Sequence, residues 1–457
     1  MMISRLLSSR VVSIVVLRSM TSRLSFTVSC FVIVAMTSCS SAPVKVPGEL
    51  STELNFEVPI MNSPEMISHP TVILVSIDGY RADYNALFSP PNLQELERSG
   101  VSAKGLRPSY PSKTFPNHYS LVTGMTPAHH GIVSNEFYDP TTKKSFAIAD
   151  KNAVRDGSWY LAEPIWVMAE HAGMRTASYF WVGSEANING AFPNYYYNYS
   201  DQVSNSDRVD RAVQWLKLAP ELRPHLILIY FSTVDSAAHL YGTKSTQMRE
   251  AIQQVDQQIG RLREAAEASP NTNLVVVSDH GMQDLDATKI ALVDESPEVA
   301  ALLPKFKETG RGPQMQFFLN EGEEVANIAK LRSALERYAK TNHKNFRVLS
   351  TPRDFKSLKY GPTPRTGDLV VDPEIPWLVG TKSSPPSAKG ANHGWNPKAP
   401  AMHGIFYAEG PAFRSHAILS TVDNINVTPL ILKVLNLPIP KNLDGSLSAM
   451  KSVLVNP

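Results

Sequence analysis

Three apolar runs stand out along the chain, and each is short and rich in β-branched residues. They cover residues 72–77, 226–231 and 274–277. A strand with one solvated face alternates apolar and polar residues, whereas a strand that is covered on both faces is apolar throughout. The runs therefore predict buried strands of a parallel-type sheet.

A helix is predicted between the second and third runs. Apolar residues recur there at steps of three and four, with Glu, Gln and Arg between them: Met248, Ile252, Val255, Ile259 and Leu262. Ser245 is a suitable N-cap for this segment. Strand, helix and strand at this spacing form a crossover unit, so the predicted fold class is α/β. Residues from about 290 to 390 are less regular, and we expect them to form an insertion or cap on the main sheet.

The N-terminal segment has the features of an export signal. Arginines precede a short apolar run over residues 24–36, which is too short for a spanning helix. The run ends in Met36-Thr37-Ser38-Cys39, which resembles a bacterial lipoprotein signal with Cys39 as the lipidated residue. We predict a signal peptide over 1–38, a proline-rich membrane tether over 39–69 and a catalytic domain over 70–457. The alternative is cleavage by ordinary signal peptidase, with Cys39 incidental.

Composition excludes some classes of protein. The 457 residues carry a formal net charge of +2 without a Lys/Arg-rich block, which argues against binding to a nucleic-acid duplex. The two cysteines are Cys30, inside the predicted signal, and Cys39, so a mature chain anchored at Cys39 has no disulfide. We expect an exported bacterial protein, periplasmic or anchored to the outer membrane by lipid alone, and nothing implies an obligate protein partner.

Polar residues follow each predicted strand. Asp78 comes directly after the first run, Asp235 and His239 follow the second, and Asp279 and His280 follow the third. Sites in open α/β sheets form at the carboxyl ends of strands, so these side chains should converge. Carboxylates and imidazoles suit zinc, and two such sets suit a two-metal site. Each element alone is also typical of a turn residue or a core histidine.

Thr114 lies where a helix should begin. Pro116 falls in the first turn and Gly124 would close the helix, so we predict Thr114 as its N-cap. A hydroxyl at the positive end of a helix favours phosphate, and metal coordination would make it a nucleophile. An ordinary capping threonine is the alternative.

Several segments, in this order along the chain, resemble the nucleotide pyrophosphatase/phosphodiesterase family of the alkaline phosphatase superfamily. They are Ser76-Ile77-Asp78-Gly79-Tyr80-Arg81, Lys113-Thr114-Phe115-Pro116-Asn117-His118-Tyr119, Leu121-Val122-Thr123-Gly124, Phe180-Trp181-Val182-Gly183-Ser184-Glu185, Asp235-Ser236-Ala237-Ala238-His239, Ser278-Asp279-His280-Gly281-Met282 and Asn392-His393-Gly394-Trp395. The resemblance covers roughly residues 70 to 440. It implies an alkaline-phosphatase-like fold, with a central, mostly parallel sheet, helices on both faces and a small inserted cap.

The resemblance also implies two Zn²⁺ ions. One would be held by Asp78, Thr114, Asp279 and His280, and the other by Asp235, His239 and His393. The competing candidate for the last ligand is His403, which we interpret as a strand-start residue. The family usually continues its His-Gly motif differently from Trp395-Asn396-Pro397, which affects the shape of this loop.

Other family positions concern the substrate. Asn135 matches an asparagine that hydrogen-bonds a phosphate oxygen, and Phe115 and Tyr230 match aromatic positions that resemble a stacking slot. The implied reaction is hydrolysis of nucleotide pyrophosphates or nucleoside phosphodiesters through a phospho-threonine at Thr114. The alternatives are a phosphodiesterase for lipid-headgroup or sugar diesters, a phosphomonoesterase using Lys113 or Lys143 as a clamp, and a lipoprotein that binds a phosphorylated ligand without turnover.

Overall fold

The computed structural model describes residues 60–456, so the predicted signal peptide and Cys39 lie outside the described residues. The strands are β1 (Thr71–Ile77), β2 (Val101–Ala103), β3 (Leu106–Arg107), β4 (Glu136–Asp139), β5 (Lys144–Ala147), β6 (Thr176–Tyr179), β7 (Tyr195–Tyr197), β8 (Leu226–Phe231), β9 (Thr272–Val277), β10 (Gln283–Asp284), β11 (Ile290–Leu292), β12 (Phe306–Thr309), β13 (Met315–Leu319), β14 (Phe346–Leu349), β15 (Leu369–Pro373), β16 (Leu378–Gly380), β17 (Ala391–Asn392), β18 (Phe406–Glu409), β19 (Ala417–Leu419) and β20 (Val422–Asp423). The α-helices are α1 (Tyr84–Phe88), α2 (Pro91–Ser99), α3 (Thr114–Thr123), α4 (Pro127–His130), α5 (Lys151–Arg155), α6 (Ile165–His171), α7 (Asn205–Leu216), α8 (Thr233–Tyr241), α9 (Thr246–Glu267), α10 (Pro297–Leu302), α11 (Ala326–Thr341), α12 (Pro352–Ser357) and α13 (Val427–Val434).

An eight-stranded sheet forms the centre, in the order β19-β2-β18-β9-β1-β8-β6-β7. The three strands predicted from the apolar runs are neighbours, because β1 pairs in parallel with both β8 and β9. Only β18 runs antiparallel to its neighbours in this sheet. The predicted α/β class with a mostly parallel sheet is confirmed.

Successive residues of β1 explain why the apolar runs do not alternate. Val72 and Leu74 belong to one hydrophobic core, and Ile73, Val75 and Ile77 belong to a second one. The two cores lie on opposite faces of the sheet, since side chains alternate along a strand. Helices cover both faces, so each residue of the strand is buried.

Helix α9 forms where the periodic segment predicted it. Its N-cap is Ser245, whose hydroxyl accepts a hydrogen bond from the backbone N–H of Met248 at 3.1 Å. The apolar positions that defined the period are all buried. This helix packs on α8, which carries two of the predicted metal ligands.

A smaller antiparallel sheet, in the order β12-β13-β15-β14, occupies much of the segment predicted as an insertion. It packs against α11 around a separate hydrophobic core that includes Met315, Phe317, Leu331, Leu335 and Val371. The insertion also lies close to the loop that contains His393. A Cβ atom placed on Gly394 of that loop would be 3.1 Å from Pro313 Cβ in the insertion.

The end of the predicted tether is attached to the domain. The backbone N–H of Asn62 donates to the carbonyl of Glu221, and its side-chain oxygen accepts from the backbone N–H of Arg175, both at 2.7 Å. Asn62, which lies within the predicted tether, is therefore hydrogen-bonded to the catalytic domain. Between residues 60 and 456, no helix has both the length and the apolar character required to cross a membrane.

Candidate active site

The first group of polar side chains lies at the carboxyl ends of adjacent parallel strands. Asp78 follows β1, and Asp279 and His280 follow β9. His280 Nε2 lies 2.9 Å from Asp279 Oδ2 and 3.3 Å from Asp78 Oδ1. The structure thus brings together three residues that were predicted to hold the first metal ion.

The second group combines the first turns of α8 with a distant loop. His239 Nε2 and His393 Nε2 lie 3.3 Å and 3.7 Å from Asp235 Oδ1. His393 follows the two-residue strand β17, and its ring stacks on that of His280 with the centroids 3.5 Å apart. Nε2 of His403, the competing candidate, instead lies 3.0 Å from the carbonyl oxygen of Pro397. The structure places His393 in this group and His403 outside it.

The chemistry of these donors fits metal ions. Asp78 Oδ1, Asp235 Oδ1 and Asp279 Oδ2 are buried and have no hydrogen-bond partner among the described residues. Such atoms are costly unless something else, such as a cation, satisfies them. Three sets of residues each offer possible ligand atoms that lie within 4.8 Å of one another. The sets are Asp235, His239 and His393; Asp78, Asp235 and His280; and Asp78, His118 and Asp279.

The tautomers of the three histidines also fit. Nδ1 of His239 lies 2.8 Å from the carbonyl of Ala391, Nδ1 of His393 lies 2.8 Å from that of Ser112, and Nδ1 of His280 lies 2.9 Å from that of Gly281. A carbonyl only accepts, so Nδ1 carries the proton in each ring. In the neutral form of each ring, Nε2 then has a free lone pair facing the carboxylates, as in metal-binding histidines.

Without metal, these charges perturb one another strongly. Burial raises the pKa of Asp78 well above its usual range, and Asp279 and Asp235 add to this. Burial disfavours the charged form of His280, but Asp279 and the other carboxylates raise its pKa to about 9. Burial and the neighbouring His280 lower the pKa of His393 well below its usual value. A cation would relieve this carboxylate repulsion and displace the proton from His280.

Thr114 is the first residue of α3, and the N-cap is Lys113. The prediction that Thr114 caps the helix was therefore wrong by one position. The physical reason is that the Thr114 hydroxyl lies 3.3 Å from His280 Nε2 instead of bonding to the first turn of its own helix. Gly124 closes the helix as predicted, in the left-handed conformation with φ of 66°.

Asn135 makes the hydrogen bond to the first turn of α3 that the side chain of the N-cap residue, Lys113, does not make. Its Oδ1 accepts a hydrogen bond from the backbone N–H of Phe115 at 3.0 Å. Because this oxygen already accepts a hydrogen bond, the amide NH₂ is the end of the Asn135 side chain that can donate to a ligand beside Thr114.

A cavity of about 350 Å³ opens beside these groups. Its lining includes Thr114, Phe115, Tyr230, Asp78 and Asp235, so both predicted slot residues share one space with the candidate nucleophile. We call this cavity the aromatic slot. The hydroxyl of Tyr230 also donates to Asp78 Oδ2 at 2.6 Å, a role that its aromatic character did not suggest.

Charged residues form another part of the slot lining. Lys151, Arg155 and Glu185 line it, and the guanidinium of Arg155 donates to Glu185 at 2.8 Å. This part of the lining thus contains two cations and one carboxylate, Glu185, that is already paired with Arg155. Of the clustered tyrosines at 195–199, only Tyr199 lines the slot.

Comparisons with known proteins agree with this architecture. Residues 72–396 match the type I phosphodiesterase / nucleotide pyrophosphatase family. This chain belongs to that family. Ectonucleotide pyrophosphatase/phosphodiesterase family member 3 of Rattus norvegicus is 33% identical over 404 residues, covering 86% of this chain and 45% of the relative. Family member 1 of Homo sapiens is 31% identical over 407 residues, covering 86% and 43%. The chain thus spans less than half the length of these relatives.

Solved structures in the family show the same fold. Murine ectonucleotide pyrophosphatase/phosphodiesterase 5 aligns with a TM-score of 0.75 and 28% identity, covering 84% of this chain and all of that one. An inactive variant of the same murine protein in complex with AMP aligns equally well.

Some residues at this family site were missed by sequence reasoning. His118 is buried with Nε2 2.8 Å from Ser76 Oγ and Nδ1 3.2 Å from Asp279 Oδ2. Its place four residues after Thr114, on the same helix face, was a usable signal. Glu185 lay in a family-like segment, but its partner Arg155 comes from an unremarkable stretch of α5, and nothing in the sequence connected them.

Proposed function

We propose that this chain is a two-zinc hydrolase that cleaves nucleotide pyrophosphates or nucleoside phosphodiesters through a phospho-threonine intermediate. One observation carries the proposal: the Thr114 hydroxyl lies 3.3 Å from His280 Nε2 and faces the same slot as Phe115 and Tyr230. A nucleophile between a cluster of metal-type ligands and an aromatic slot suits a phosphate that carries a second, flat substituent.

The residues divide into two ligand sets and a nucleophile. Asp78, Asp279 and His280 with Thr114 would hold one ion, because His280 lies close to the other three side chains. Asp235, His239 and His393 would hold the other. When bound, the two zinc ions would lower the pKa of the threonine hydroxyl and of a water molecule.

The chain's own residues account for the two steps. The Thr114 oxygen forms a bond to phosphorus while the bond to the leaving oxygen breaks, and the threonine proton ends on the leaving group. The retained nucleoside phosphate is then esterified to Thr114. Water then attacks the same phosphorus and the bond to Thr114 breaks. A proton from the water restores the threonine hydroxyl, and a nucleoside monophosphate is released. Asn135 would donate its amide NH₂ to a non-bridging oxygen in both steps.

Charge around the site favours a nucleotide diester over a phosphomonoester or a choline diester. Lys143, one candidate clamp for a monoester, is exposed and paired with Glu321 at 2.6 Å. Lys113 donates to Ser134 Oγ at 3.2 Å, and burial lowers its pKa to about 8. A choline headgroup is cationic and would meet Lys151 and Arg155 in the slot.

The test compares the p-nitrophenyl ester of thymidine monophosphate with p-nitrophenyl phosphate, with chelator and with zinc restored. We expect zinc-dependent cleavage with a higher kcat/KM for the diester. A monoester kcat/KM equal to or above that of the diester would overturn the substrate class. Cleavage of neither would shift the search to lipid and sugar diesters.

Thr114→Ala tests the nucleophile, with Thr114→Ser as the matched variant. We expect alanine to lower kcat by about 10³-fold or more, and serine to retain part of the activity because it keeps the hydroxyl. Undiminished turnover by the alanine variant would exclude a phospho-threonine.

We also propose that the protein is exported and anchored by lipid at Cys39, on the basis of the lipoprotein-like segment that ends there. Expression with labelled palmitate should label the wild-type protein and leave a Cys39→Ser variant unlabelled. Labelling of both, or of neither, would contradict the anchor.

A further inference from the structure

Arg208 is a buried arginine without an acidic partner. It lies on α7 and is 2% exposed. Its guanidinium donates to the carbonyls of Tyr230 at 2.6 Å and Val203 at 2.9 Å, while its Nε has no partner among the described residues. Within residues 60–456, no carboxylate forms an ion pair with it. A buried cation of this kind is costly, so its contacts require an explanation.

The end of a neighbouring strand leaves the Tyr230 carbonyl without a sheet partner. The last residue pair between β6 and β8 is Tyr179 with Ile229, so the pairing ends one residue before Tyr230. At the next residue, Phe180, the backbone adopts a φ of 71° and β6 ends. Arg208 supplies the donor that another residue of β6 would have supplied, because a buried carbonyl requires a partner.

The same guanidinium also lies over the ring of Phe180, on a second wall of the slot. The Arg208 guanidinium carbon lies 4.9 Å from the centroid of the Phe180 ring. Phe180 and Tyr230 both line the slot, and the ring of Tyr199 lies 5.2 Å from Phe180 and 6.2 Å from Tyr230. Arg208 therefore supports two of the aromatic residues that line the slot, although it is not itself among the lining residues.

We propose that Arg208 is a positioning residue that holds Phe180 and Tyr230 at the separation a flat substrate substituent needs. This inference rests on the proposed function, since it assumes that the slot receives the retained group of a phosphodiester. The planar fork and face of arginine are essential to it: lysine would keep the charge but lose both the second donor and the flat surface. Arg208 touches no reacting atom, so it should affect binding of the substituent more than the chemical step.

The test uses two substrates that share a leaving group and differ in the retained group. The p-nitrophenyl ester of thymidine monophosphate fills the slot, and methyl p-nitrophenyl phosphate does not. For Arg208→Met we expect KM for the thymidine ester to rise about tenfold with kcat little changed, and kcat/KM for the methyl ester to stay within about twofold. Arg208→Lys should fall between wild type and the methionine variant.

Arg263→Met is the matched control. Arg263 is also largely buried, but it pairs with Glu409 at 2.7 Å and does not line the slot. Arg263→Met should lower the melting temperature without changing the ratio of kcat/KM between the two esters.

The outcomes separate this inference from the function on which it rests. Equal losses on both esters, or no loss on either, in Arg208→Met would overturn the positioning role while the proposed function stands. If Arg208→Met does not fold, Arg208→Lys is tested in its place by the ratio of kcat/KM between the two esters. An unchanged ratio in Arg208→Lys would then overturn the positioning role. A wild-type protein that cleaves neither ester overturns the proposed function and this inference together.

Discussion

Replacing Tyr230 with phenylalanine isolates one hydrogen bond next to the candidate metal site. The Tyr230 hydroxyl donates to Asp78 Oδ2 at 2.6 Å, and both residues are buried. The other oxygen, Asp78 Oδ1, has no hydrogen-bond partner within residues 60–456 and lies 3.3 Å from His280 Nε2. The hydroxyl thus holds one carboxylate oxygen and leaves the other for a metal ion. Phenylalanine removes only the hydroxyl and keeps the ring in the slot.

The expected size of the effect follows from the kind of bond. A hydrogen bond to a charged group contributes about 1.5–3 kcal/mol, and 1.4 kcal/mol corresponds to a factor of ten. Partners that orient metal ligands commonly alter metal affinity by about 10- to 100-fold. We therefore expect the zinc dissociation constant of Tyr230→Phe to rise about 10- to 100-fold.

The effect should also depend on pH. Burial and the neighbouring carboxylates raise the pKa of Asp78, whereas the Tyr230 hydroxyl opposes that rise. Without the hydroxyl the pKa rises further, so protons compete better with zinc. The loss of affinity in Tyr230→Phe should therefore be larger at pH 6 than at pH 8.

Competition with a chromophoric zinc chelator at both pH values measures this directly. Tyr199→Phe is the control, because it removes a hydroxyl from the same slot that forms no hydrogen bond within the described part of the chain. Zinc dissociation constants within twofold of wild type at both pH values would refute the idea that Tyr230 orients a metal ligand.

Other experiments address the phosphate contact, the proton held by the metal-free site and the charged part of the slot. Asn135→Asp keeps the shape but replaces the donating amide, so kcat/KM for the thymidine ester should fall about 100-fold or more, and unchanged kinetics would exclude a phosphate contact. In chelator-treated protein, burial disfavours the His280 imidazolium but Asp279 raises its pKa to about 9, so the stability this proton provides is complete below about pH 6.5 and is lost as the pH rises through 9. The difference in melting temperature between zinc-loaded and chelated protein should therefore widen over that range in scanning calorimetry, and a constant difference would contradict the assignment. Glutamate at both Lys151 and Arg155 should raise kcat/KM for p-nitrophenylphosphorylcholine relative to the thymidine ester by about tenfold, and an unchanged ratio would mean that these cations do not contact the substituent.

The fold could be predicted from sequence because its central elements carry strong local signals. The runs that became β1, β8 and β9 are apolar at every position except Ser76, as expected of strands covered on both faces. Helix α9 has both a capping serine and an apolar period along its whole length. Since parallel strands meet at one edge, the positions of Asp78, Asp235 and Asp279 followed from the strand ends.

His393 was predictable only by resemblance. It follows a strand of two residues in a loop whose position depends on contacts far along the chain. Its Nδ1 bonds to the carbonyl of Ser112, 281 residues away. No local pattern could distinguish it from His403, ten residues later, because the difference is tertiary.

The error at Thr114 has a related cause. Pro116 and Gly124 mark the ends of α3 to within a residue, but the cap depends on where the side chain points. His280, in the loop after β9, lies 3.3 Å from the Thr114 hydroxyl, and Asn135 accepts a hydrogen bond from the backbone N–H of Phe115 from another loop. Both partners come from outside the helix, so helix signals could not reveal them.

Chemistry and specificity therefore come from different parts of this fold. The candidate ligands at the ends of β1 and β9 are fixed by regular strands, whose geometry is set locally and read from short segments. The slot is formed where β6 ends at Phe180, with Tyr199 from the irregular stretch after β7 and Arg155 from a five-residue helix. Its shape depends on long-range contacts such as that of Arg208 with the Tyr230 carbonyl, so relatives can keep the metal ligands while changing the slot. A sequence that predicts the reaction well should consequently predict the substrate poorly, which is why the substituent in the slot has to be identified by assay.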